Sequence, residues 1–501
     1  MFRKVLIANR GEIAVRIIRA ARDLGMATVA VYSECDRGAL HVRMADEAYL
    51  LGPAPSRESY LAMDKVIGIA VASGVEAIHP GYGFLAENAE FARRCDQADI
   101  GFVGPHPSSI EMMGEKIAAR KSAVAVGVPV VPGTENPVRE LEDAKEAAEK
   151  IGFPLLIKAS AGGGGKGMRL VETGETLAAS LRDAQAEAMA AFGDSSVYLE
   201  RYVVSPRHIE FQILADRYGH TIHLGERECS IQRRHQKLIE ECPSPCMTSE
   251  LRQQMGEAAV RIAQSCGYQN AGTVEFLVDA QGNFYFLEVN TRLQVEHPVT
   301  ELVTGIDLVK EQFKIACGER LERCQEDIEW RGAALECRIC AEDPENNFFP
   351  SPGTITSLRT PSGPGIRDDS GIYEGWTIPL YYDPLLSKLI SFGSDRREAI
   401  ARMRRALLEY QVTGIKTNLS FFNTVLNHER FVAGELSTDF IERYYRPEPG
   451  HASPPHRLEE IAAIAAALHE ERKNNGGRFS AGQLESPWKL SGRLESMRNR
   501  S

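Results

Sequence analysis

The sequence lacks long apolar runs and is poor in cysteine. No segment approaches the roughly 18 consecutive apolar residues that a membrane-spanning helix needs, so we expect no membrane association. The first strand-like run, residues 5–8, is too short for the apolar region of a signal peptide. Ten cysteines in 501 residues are far fewer than a secreted disulfide scaffold carries. We therefore predict a cytoplasmic protein with free thiols.

Zinc binding through cysteine is not favoured either. Cys337 and Cys340 lie in a strand-like run, where residues three apart point to opposite faces and do not readily share one zinc ion. Cys242 and Cys246 form the other closely spaced pair. We expect these four residues to be buried thiols.

An excess of basic residues is also missing. The formal net charge is −11, so a general nucleic-acid surface, which needs excess positive charge on one face, is not predicted. The basic cluster at residues 233–237 is enough for a small anionic ligand. Hydrophobic residues make up 43% and charged residues 25% of the chain, as in globular proteins. A length of 501 residues suggests about three domains.

The N-terminal part alternates strand and helix patterns. Residues 3–33 read as strand, amphipathic helix and strand, with Ile13, Ile17 and Ile18 at helical spacing. This is a parallel βαβ unit, and its pattern continues through about the first hundred residues, which predicts a doubly wound, Rossmann-like α/β domain. The first turn has one glycine and lacks G-x-G-x-x-G, which argues against a dinucleotide site and hence against a dehydrogenase.

The remainder of the chain divides by composition. Strands and helices alternate from residue 116 to about 330, and the block from about 130 to 203 has the make-up of a mobile lid. Residues 331–446 are rich in strands and turns. Residues 447–501 begin as a proline-rich linker and continue as a short, Ala-rich helical tail. The predicted class is therefore multidomain, combining α/β and α+β parts.

The segment KASAGGGGKGMR, residues 158–169, needs an explanation because glycine loses more backbone entropy on folding than any other residue. Its glycines formally satisfy G-x-G-x-x-G, but strand-like residues follow instead of a helix, and the P-loop pattern fails as well. A hairpin between strands remains, whose bare amides can fold over phosphates, with Lys158 before the glycines and Lys166 after them. A flexible hairpin tip without a ligand is the alternative.

Residues 272–292 read as two strands joined by a four-residue turn. If a pair between Asp279 and Phe284 closes this turn, Glu275 lies directly opposite Glu288 on one face. At a separation of about 5 Å and an effective dielectric of about 20, the two carboxylates repel each other by roughly 3 kcal/mol. The register therefore predicts a bound cation that removes this repulsion.

Asn290 lies two residues beyond Glu288 and therefore on the same face, where it adds a neutral oxygen. Carboxylates with an amide oxygen, and no cysteine or histidine nearby in the sequence, are ligands suited to Mg²⁺ or Mn²⁺ that also bind substrate phosphates. A solvated acidic hairpin and a proton shared between Glu275 and Glu288 are the alternatives.

The segment NTRLQVEHPVTE follows directly, and Arg292, Glu296 and His297 crowd its loop. An arginine there can hold an anion, and a neighbouring carboxylate can act as a general base. A structural salt bridge explains the same pattern. Five further residues, taken singly, are equally well explained as surface charges or satisfied polar groups: Lys116, His208, His235, Lys237 and Arg338.

Taken together, the motifs resemble the ATP-grasp superfamily and, within it, the biotin carboxylases. The resemblance runs from residue 2 to about 446 and rests on IANRGEIAVRIIRA, HPGYGFLAEN, KASAGGGGKGMR, QRRHQK, EVNTRLQVEHPVTE, ECRICAEDP and YYDPLLSKLI. It implies an N-terminal α/β domain over residues 1–115 and an ATP-grasp domain over 116–330, with its lid at about 130–203. A C-terminal domain over 331–446 then completes the active site. A homodimer is also implied.

The resemblance assigns a role to individual residues. The implied ATP-binding residues are Lys116, Lys158, Gly164, Gly165, Glu200, Arg201, Tyr202, Val203, His208, His235, Glu275 and Glu288. The implied metal ligands are Glu275, Glu288 and Asn290, and the implied bicarbonate-binding groups are Lys237, Arg292 and the amide of Val295. Glu296 matches the base that deprotonates bicarbonate, and Arg338 matches the residue that binds biotin and stabilises its enolate. The implied catalytic residues are thus Lys237, Arg292, Glu296 and Arg338.

The implied reaction is the ATP-dependent carboxylation of biotin. Bicarbonate attacks the γ-phosphate of MgATP, the resulting carboxyphosphate breaks down to CO₂ and phosphate, and biotin captures the CO₂. No Met-Lys-Met biotinylation motif occurs in the sequence, so biotin is expected on a separate biotin carboxyl carrier protein, with carboxyltransferase subunits as further partners.

We therefore predict that the chain is the biotin carboxylase subunit of an acetyl-CoA or other acyl-CoA carboxylase and acts in fatty acid biosynthesis. The biotin carboxylase subunit of a two-subunit pyruvate carboxylase is the first alternative. Another ATP-grasp ligase, of the purine or carbamoyl-phosphate type, and a non-catalytic nucleotide-binding regulator are the others.

Overall fold

The structure, a computed structural model, describes residues 1–134, 136–159, 168–446, 464, 466 and 467. The chain forms two units, Met1–Tyr445 and Arg446–Ser501. Residues 464, 466 and 467 of the second unit are helical and exposed. The predicted ATP-binding residues Gly164 and Gly165, and most of the predicted tail at 447–501, lie outside the described residues.

The first unit opens with a parallel sheet, as the alternating pattern predicts. Its strands are β1 (Lys4–Ile7), β2 (Ala27–Ser33), β3 (Glu47–Gly52), β4 (Ala77–His79) and β5 (Gly101–Phe102). They lie in the order β3-β2-β1-β4-β5, and each neighbouring pair is parallel. The helices of this part are α1 (Gly11–Asp23), α2 (Leu40–Met44), α3 (Met63–Ser73), α4 (Ala89–Gln97) and α5 (Pro107–Gly114). The α1 helix begins just beyond the carboxyl end of β1, the edge at which such sheets bind ligands.

A small antiparallel sheet follows. Its strands are β6 (Leu155–Ala159), β7 (Arg169–Val171) and β8 (Val197–Arg201), in the order β7-β6-β8. Helices α7 (Leu141–Ile151) and α8 (Gly174–Phe192) pack against it, and α6 (Lys116–Ala125) precedes it in the chain. Leu177 and Leu181 of α8 pack with Leu155 and Leu199 in one buried cluster. The packing places Lys158 and Glu200 on neighbouring strands.

The centre of the unit is an eight-stranded sheet. The remaining strands of the chain are β9 (Arg207–Ala215), β10 (Thr221–Arg233), β11 (Gln236–Cys242), β12 (Asn270–Val278), β13 (Phe284–Asn290), β14 (Ala333–Cys340), β15 (Glu342–Asp343), β16 (Phe349–Pro350), β17 (Gly353–Thr354), β18 (Ser357–Arg359), β19 (Ile366–Ser370), β20 (Thr377–Ile378), β21 (Leu385–Gly393) and β22 (Gln411–Thr413). The large sheet has the order β13-β12-β9-β10-β11-β14-β21-β19, with antiparallel neighbours throughout. Because β11 pairs with β14, one sheet runs through the two segments predicted as the ATP-grasp and C-terminal domains.

Helices cover this sheet. They are α9 (Ser249–Ser265), α10 (His297–Thr304), α11 (Leu308–Ala316), α12 (Arg396–Glu409), α13 (Leu419–Asn427), α14 (Glu429–Ala433) and α15 (Phe440–Tyr444). Met255 and Ala259 of α9 pack with Phe211 of β9 and Phe276 of β12 in one buried cluster. Since side chains alternate along a strand, the opposite face of β9 and β12 is left for polar residues.

Two of the predicted absences concern membranes and disulfides. Within the described ranges, no helix is both long and apolar enough to cross a membrane. All ten cysteines are free thiols, and Cys242, Cys337 and Cys340 are buried while Cys246 is half-buried.

Candidate active site

The site begins on the polar face of β9. Ile209 and Phe211 belong to the hydrophobic core, whereas His208, Glu210 and Gln212 are buried on the opposite face. Buried polar groups need hydrogen-bond partners. Those of β9 find them on β10, β11 and β12, which brings residues distant in the sequence to one place.

The hairpin of β12 and β13 brings Glu275 and Glu288 into a directly opposed pair, as predicted. The predicted closing pair is wrong, because Val278, and not Asp279, pairs with Phe284. A β-bulge in β13, before Glu288, then restores the register. Asp279 leaves the ladder because its carboxylate accepts two backbone amides of the turn, each at 2.9 Å.

Glu275 is held by four polar groups. Its Oε1 accepts hydrogen bonds from Lys237 Nζ (2.8 Å), Asn290 Nδ2 (2.8 Å) and Gln294 Nε2 (3.0 Å). Its Oε2 lies 2.7 Å from His208 Nε2. Burial alone raises the pKa of Glu275, but Lys237 and His208 outweigh it and hold that pKa well below its ordinary value. Glu275 is therefore ionised, and Oε2 keeps a lone pair for a further ligand.

Glu288 has the opposite environment. In the part of the chain that the structure describes, its side chain makes no hydrogen bond or ion pair. Burial and the charge of Glu275 raise the pKa of Glu288, while Lys116 opposes this shift. A divalent cation stabilises such a pair of facing carboxylates, and oxygen ligands suit Mg²⁺. Glu275 and Glu288 therefore fit the expected metal, whereas the Oδ1 of Asn290, the third predicted ligand, accepts a hydrogen bond from Arg292 Nη2 at 3.0 Å.

Lys237 neutralises the carboxylates beside this pair. Its ammonium donates to Glu275 Oε1 (2.8 Å), to Glu296 Oε1 (2.8 Å) and, by a shorter contact, to Glu210. Burial lowers the pKa of Lys237, but the three carboxylates raise it well above its ordinary value. Some buried His, Cys and Glu side chains around Glu210 have the spacing of metal ligands. Their carboxylates are neutralised by the Lys237 ammonium.

Arg227 lies behind Glu210 and is fully buried. Its guanidinium donates to Glu210, to Gln212 Oε1 (2.8 Å), to Thr300 Oγ1 (3.0 Å) and to Thr273 Oγ1 (3.2 Å). These bonds fix Glu210 from behind, so that Glu210 can orient the Lys237 ammonium. Sequence reasoning missed both Glu210 and Arg227. The signal available in the sequence was the alternation of polar and apolar residues in RHIEFQILAD, which places Glu210 on the polar face of a strand.

Glu296 is clamped between two cations. Its Oε1 accepts from Lys237, and its Oε2 accepts from Arg338 Nη2 at 2.9 Å. Arg338 also donates through Nε to Glu240 Oε1 at 2.6 Å. Burial raises the pKa of Glu296, but Lys237 and Arg338 outweigh it and lower that pKa below its ordinary value. Burial raises the pKa of Glu240 to about 7, against the opposing charge of Arg338.

Arg292 is oriented by three side chains from two parts of the chain. Its Nε donates to Glu87 Oε2 (2.9 Å), its Nη1 to Gln294 Oε1 (3.0 Å) and its Nη2 to Asn290 Oδ1 (3.0 Å). Glu87 belongs to HPGYGFLAEN of the N-terminal domain. The guanidinium is therefore ordered beside Asn290, a predicted metal ligand.

The loop that carries Val295 is tied down from below. The Val295 carbonyl accepts from Lys388 Nζ at 2.9 Å, and Lys388, which is fully buried, also lies 3.3 Å from Glu12 Oε2. This leaves the Val295 amide, the group expected to bind bicarbonate, on a restrained backbone. Lys388 was not singled out by sequence reasoning, because a lysine in YYDPLLSKLI reads as an ordinary surface charge.

A second group of predicted residues includes Lys158 of β6 and Glu200 of β8. Lys158 Nζ donates to Glu200 Oε2 at 2.5 Å, and Arg120 Nη1 donates to Glu200 Oε1 at 2.8 Å. Burial and the charge of Lys158 lower the pKa of Lys116, with Glu288 opposing. Burial, followed by Lys158, also lowers the pKa of His235. The Lys158 charge therefore affects the pKa of both Lys116 and His235, and Lys116 is also influenced by Glu288.

The segment 200–203, expected to hold the adenine and ribose, is partly committed to the protein itself. The Arg201 amide donates to Pro132 O (2.8 Å) and the Tyr202 amide to Pro154 O (3.0 Å). Among the described residues, the Val203 amide has no acceptor. The Arg201 side chain is exposed and is not brought to the other predicted site residues.

A cavity of about 480 Å³ opens beside Arg292 and Arg338. Its other walls come from the segment at the start of α1, from Tyr82 and its neighbours, and from the loop before β21. Tyr82 was not among the residues singled out by sequence reasoning. The signal for it is the pair of flanking glycines in HPGYGF, which adopt φ of +66° at Gly81 and +67° at Gly83 and so hold Tyr82 on a sharp turn.

An acidic hairpin on a large antiparallel sheet, with paired lysines beside it and a parallel N-terminal domain before it, is the fold of an ATP-grasp ligase. Family models match three consecutive parts of the chain. Residues 1–110 match the biotin carboxylase N-terminal domain, 115–324 the ATP-binding domain of the carbamoyl-phosphate synthase L chain, and 336–443 the biotin carboxylase C-terminal domain. The chain belongs to the biotin carboxylase family and is an enzyme of the ligase class.

Individual relatives agree with the family models. Biotin carboxylase 1 of Bacillus subtilis is 55% identical over 445 residues, which cover 89% of this chain and 99% of the relative. A pyruvate carboxylase subunit of Methanothermobacter thermautotrophicus is 55% identical over 447 residues, 89% and 91% of the two chains. The biotin carboxylase domain dimer of the Hydrogenobacter thermophilus 2-oxoglutarate carboxylase, solved with MgADP, ADP and bicarbonate, superposes with a TM-score of 0.85 at 49% identity, covering 89% of this chain and 98% of that chain.

Proposed function

We propose that this chain is the biotin carboxylase subunit of an acetyl-CoA or other acyl-CoA carboxylase. It uses ATP, bicarbonate and Mg²⁺ or Mn²⁺ to carboxylate biotin carried on a separate biotin carboxyl carrier protein. The observation that carries this proposal is the Glu296 carboxylate, held between Lys237 and Arg338 next to the facing pair of Glu275 and Glu288. This arrangement combines a base, two anion-binding cations and a metal site, and one of the two cations, Arg338, also lines the cavity.

The site residues have separate roles. Lys116 and Lys158 hold the ATP phosphates, and the amides of Gly164 and Gly165, which lie outside the described residues, are expected to bind the phosphates with them. The base and ribose are held by the segment 200–203, His208 and His235, and the metal is held by Glu275, Glu288 and Asn290. Bound there, the metal neutralises charge on the transferring phosphoryl group. Catalysis of phosphoryl transfer by charge placement of this kind is the usual strategy of such sites.

Bicarbonate is bound by Lys237, Arg292 and the Val295 amide, and its proton passes to Glu296. With no anion bound, Glu296 is a weak base because both of its oxygens are paired with cations. An anion that shares Lys237 and Arg292 draws away part of this positive charge, which raises the pKa of Glu296 towards a useful range. Bicarbonate oxygen then displaces ADP from the γ-phosphate, and the carboxyphosphate formed releases CO₂ and phosphate.

Arg338 acts in the second half of the reaction. Its guanidinium lines the cavity and lies where it can stabilise the biotin enolate after phosphate removes the ureido proton. The biotin nitrogen then bonds to the carbon of CO₂. Glu240, bound to the other side of Arg338, sets its orientation.

A kinetic assay tests this function directly. ATP hydrolysis by the purified chain should require bicarbonate and should rise with free biotin, because Glu296 has a substrate proton to accept only when bicarbonate is present. The measurements are phosphate release and fixation of labelled bicarbonate. ATP turnover of the same size without bicarbonate would refute the assignment.

Replacing Glu288 with glutamine should raise the Mg²⁺ concentration needed for half-maximal activity by about tenfold or more, since one of two anionic ligands is lost. The same change should raise the melting temperature of the metal-free protein, because it removes a carboxylate whose pKa is raised by burial and by Glu275. Asp279→Asn, which removes a charge in the turn of the same hairpin, is the matched control. An unchanged metal titration for Glu288→Gln would contradict the metal site.

The biotin carboxylase subunit of a two-subunit pyruvate carboxylase is the second candidate. The pyruvate carboxylase subunit of Methanothermobacter thermautotrophicus is as similar to this chain as the Bacillus subtilis biotin carboxylase is. Isolation of the partner subunits and a transfer assay with acetyl-CoA and with pyruvate distinguish the two candidates. Transfer to acetyl-CoA would place the chain in fatty acid biosynthesis.

We also propose that the chain forms a homodimer and is located in the cytoplasm. Light scattering tests the first point and cell fractionation the second. The dimer of the Hydrogenobacter thermophilus neighbour supports the oligomeric state.

A further inference from the structure

Two large apolar side chains stand exposed at the mouth of the cavity. Leu380 is 73% exposed and Tyr381 is 58% exposed, and they are adjacent in the loop 379–384 between β20 and β21. Tyr381 also lines the cavity that contains Arg292 and Arg338. The pair is therefore both on the surface and at the entrance of the active site.

The loop that presents them is firmly anchored. The Tyr382 hydroxyl donates to Ser33 Oγ (2.7 Å) and its ring lies under the Arg10 guanidinium, 4.3 Å from the ring centre. At the end of the loop, the Pro384 carbonyl accepts from the Ala341 amide at 2.9 Å. An apolar pair on a rigid loop loses little conformational entropy when a partner covers it.

The proposed carboxylation of biotin indicates which partner covers this pair. The proposed function places biotin on a separate carrier protein, so the biotin group enters the cavity while attached to that protein. Because this attachment is covalent, the carrier has to lie against the rim of the cavity as the biotin reaches Arg338. An exposed tyrosine beside an exposed leucine at this rim offers apolar surface that a partner can bury.

We propose that Leu380 and Tyr381 are the apolar anchor on which the biotin carrier protein docks. The inference rests on the proposed function and adds the surface through which the carrier delivers its biotin. Leu380 is the residue to test, since it is absent from the cavity lining and is separable from catalysis. Tyr381 is less suited, because it contributes to both the rim and the cavity wall.

Leu380→Asp should raise the KM for the carrier by about tenfold or more, because a carboxylate that loses its water at an apolar contact is costly. The probe is the biotinylated carrier purified on avidin from cells of the same organism. The kcat and KM for free biotin should stay at their wild-type values. Leu380→Ala should change the carrier KM in the same direction by a smaller factor.

Leu408→Asp is the matched control, because Leu408 is 75% exposed but lies on α12, away from the cavity lining. This substitution should leave kcat and KM unchanged for both the carrier and free biotin. Equal losses with carrier and free biotin, or an unchanged carrier KM, would overturn the docking surface. So would dissociation of a dimer by Leu380→Asp, which would assign the pair to a second copy of the chain. A wild-type protein that does not carboxylate free biotin would instead overturn the proposed function itself, and the docking surface with it.

Discussion

Replacing Lys237 with methionine should reduce biotin carboxylation by about 10²- to 10³-fold or more, the effect of removing a group that stabilises developing charge in a dry site. It should also lower the free energy of unfolding by about 3 to 5 kcal/mol, because three buried carboxylates lose their shared cation. Glu210, Glu275 and Glu296 all depend on this one ammonium. Steady-state kinetics and urea denaturation measure the two effects.

A second substitution separates these effects. Adding Glu210→Gln to Lys237→Met removes one of the stranded carboxylates while its amide oxygen can still accept from Arg227. We expect the double variant to recover part of the lost stability but none of the activity. Recovery of activity along with stability would show that Lys237 is structural and has no role in holding bicarbonate.

Replacing Glu296 with glutamine should lower kcat by about a hundredfold or more, the usual contribution of a positioned general base. The KM for ATP should change little, because Glu296 contacts Lys237 and Arg338. It does not contact Lys116 or Lys158, the lysines assigned to the ATP phosphates. Before bicarbonate binds, the two cations lower the pKa of Glu296 below its ordinary value, so this carboxylate is ionised throughout the neutral range. The ratio of wild-type to variant kcat/KM for bicarbonate, which reports the enzyme before bicarbonate binds, should therefore stay constant from about pH 6 to 8.

Glu240→Gln is the control for this experiment. Glu240 and Glu296 are both fully buried and both bind Arg338, at 2.6 and 2.9 Å, but Glu240 makes no bond to Lys237 among the described residues. A base at Glu296 predicts a much larger loss of kcat for Glu296→Gln than for Glu240→Gln. Equal losses would mean that both carboxylates serve only to orient Arg338.

The hairpin of β12 and β13 shows which structural features a local sequence pattern can predict. The opposed pair of Glu275 and Glu288 was predictable because side chains alternate along strands, so each residue's face follows from its neighbours. The closing pair was predicted wrongly because Asp279 bonds to the amides of its own turn. A bulge later in β13 cancels this one-residue slip, and no pattern of period two reveals such a compensation.

The roles predicted for single residues have a different basis. They came from resemblance, because a lone lysine or arginine in a sequence reads equally well as a surface charge. The structure supplies what turns Lys237 and Arg338 from charges into a site, namely their shared hold on Glu296. It also reveals Arg227 and Glu210 behind them.

The sequence by itself determined the parallel N-terminal domain, the facing carboxylates and their suitability for a divalent metal, because these follow from local periodicity and ligand chemistry. Tertiary structure alone decided that β9, β11, β12 and β14 lie side by side, so that residues from 210 to 338 meet around one ammonium and one guanidinium. The reason is physical: alternation states which face a residue occupies, whereas the choice of neighbouring strand depends on packing between distant segments.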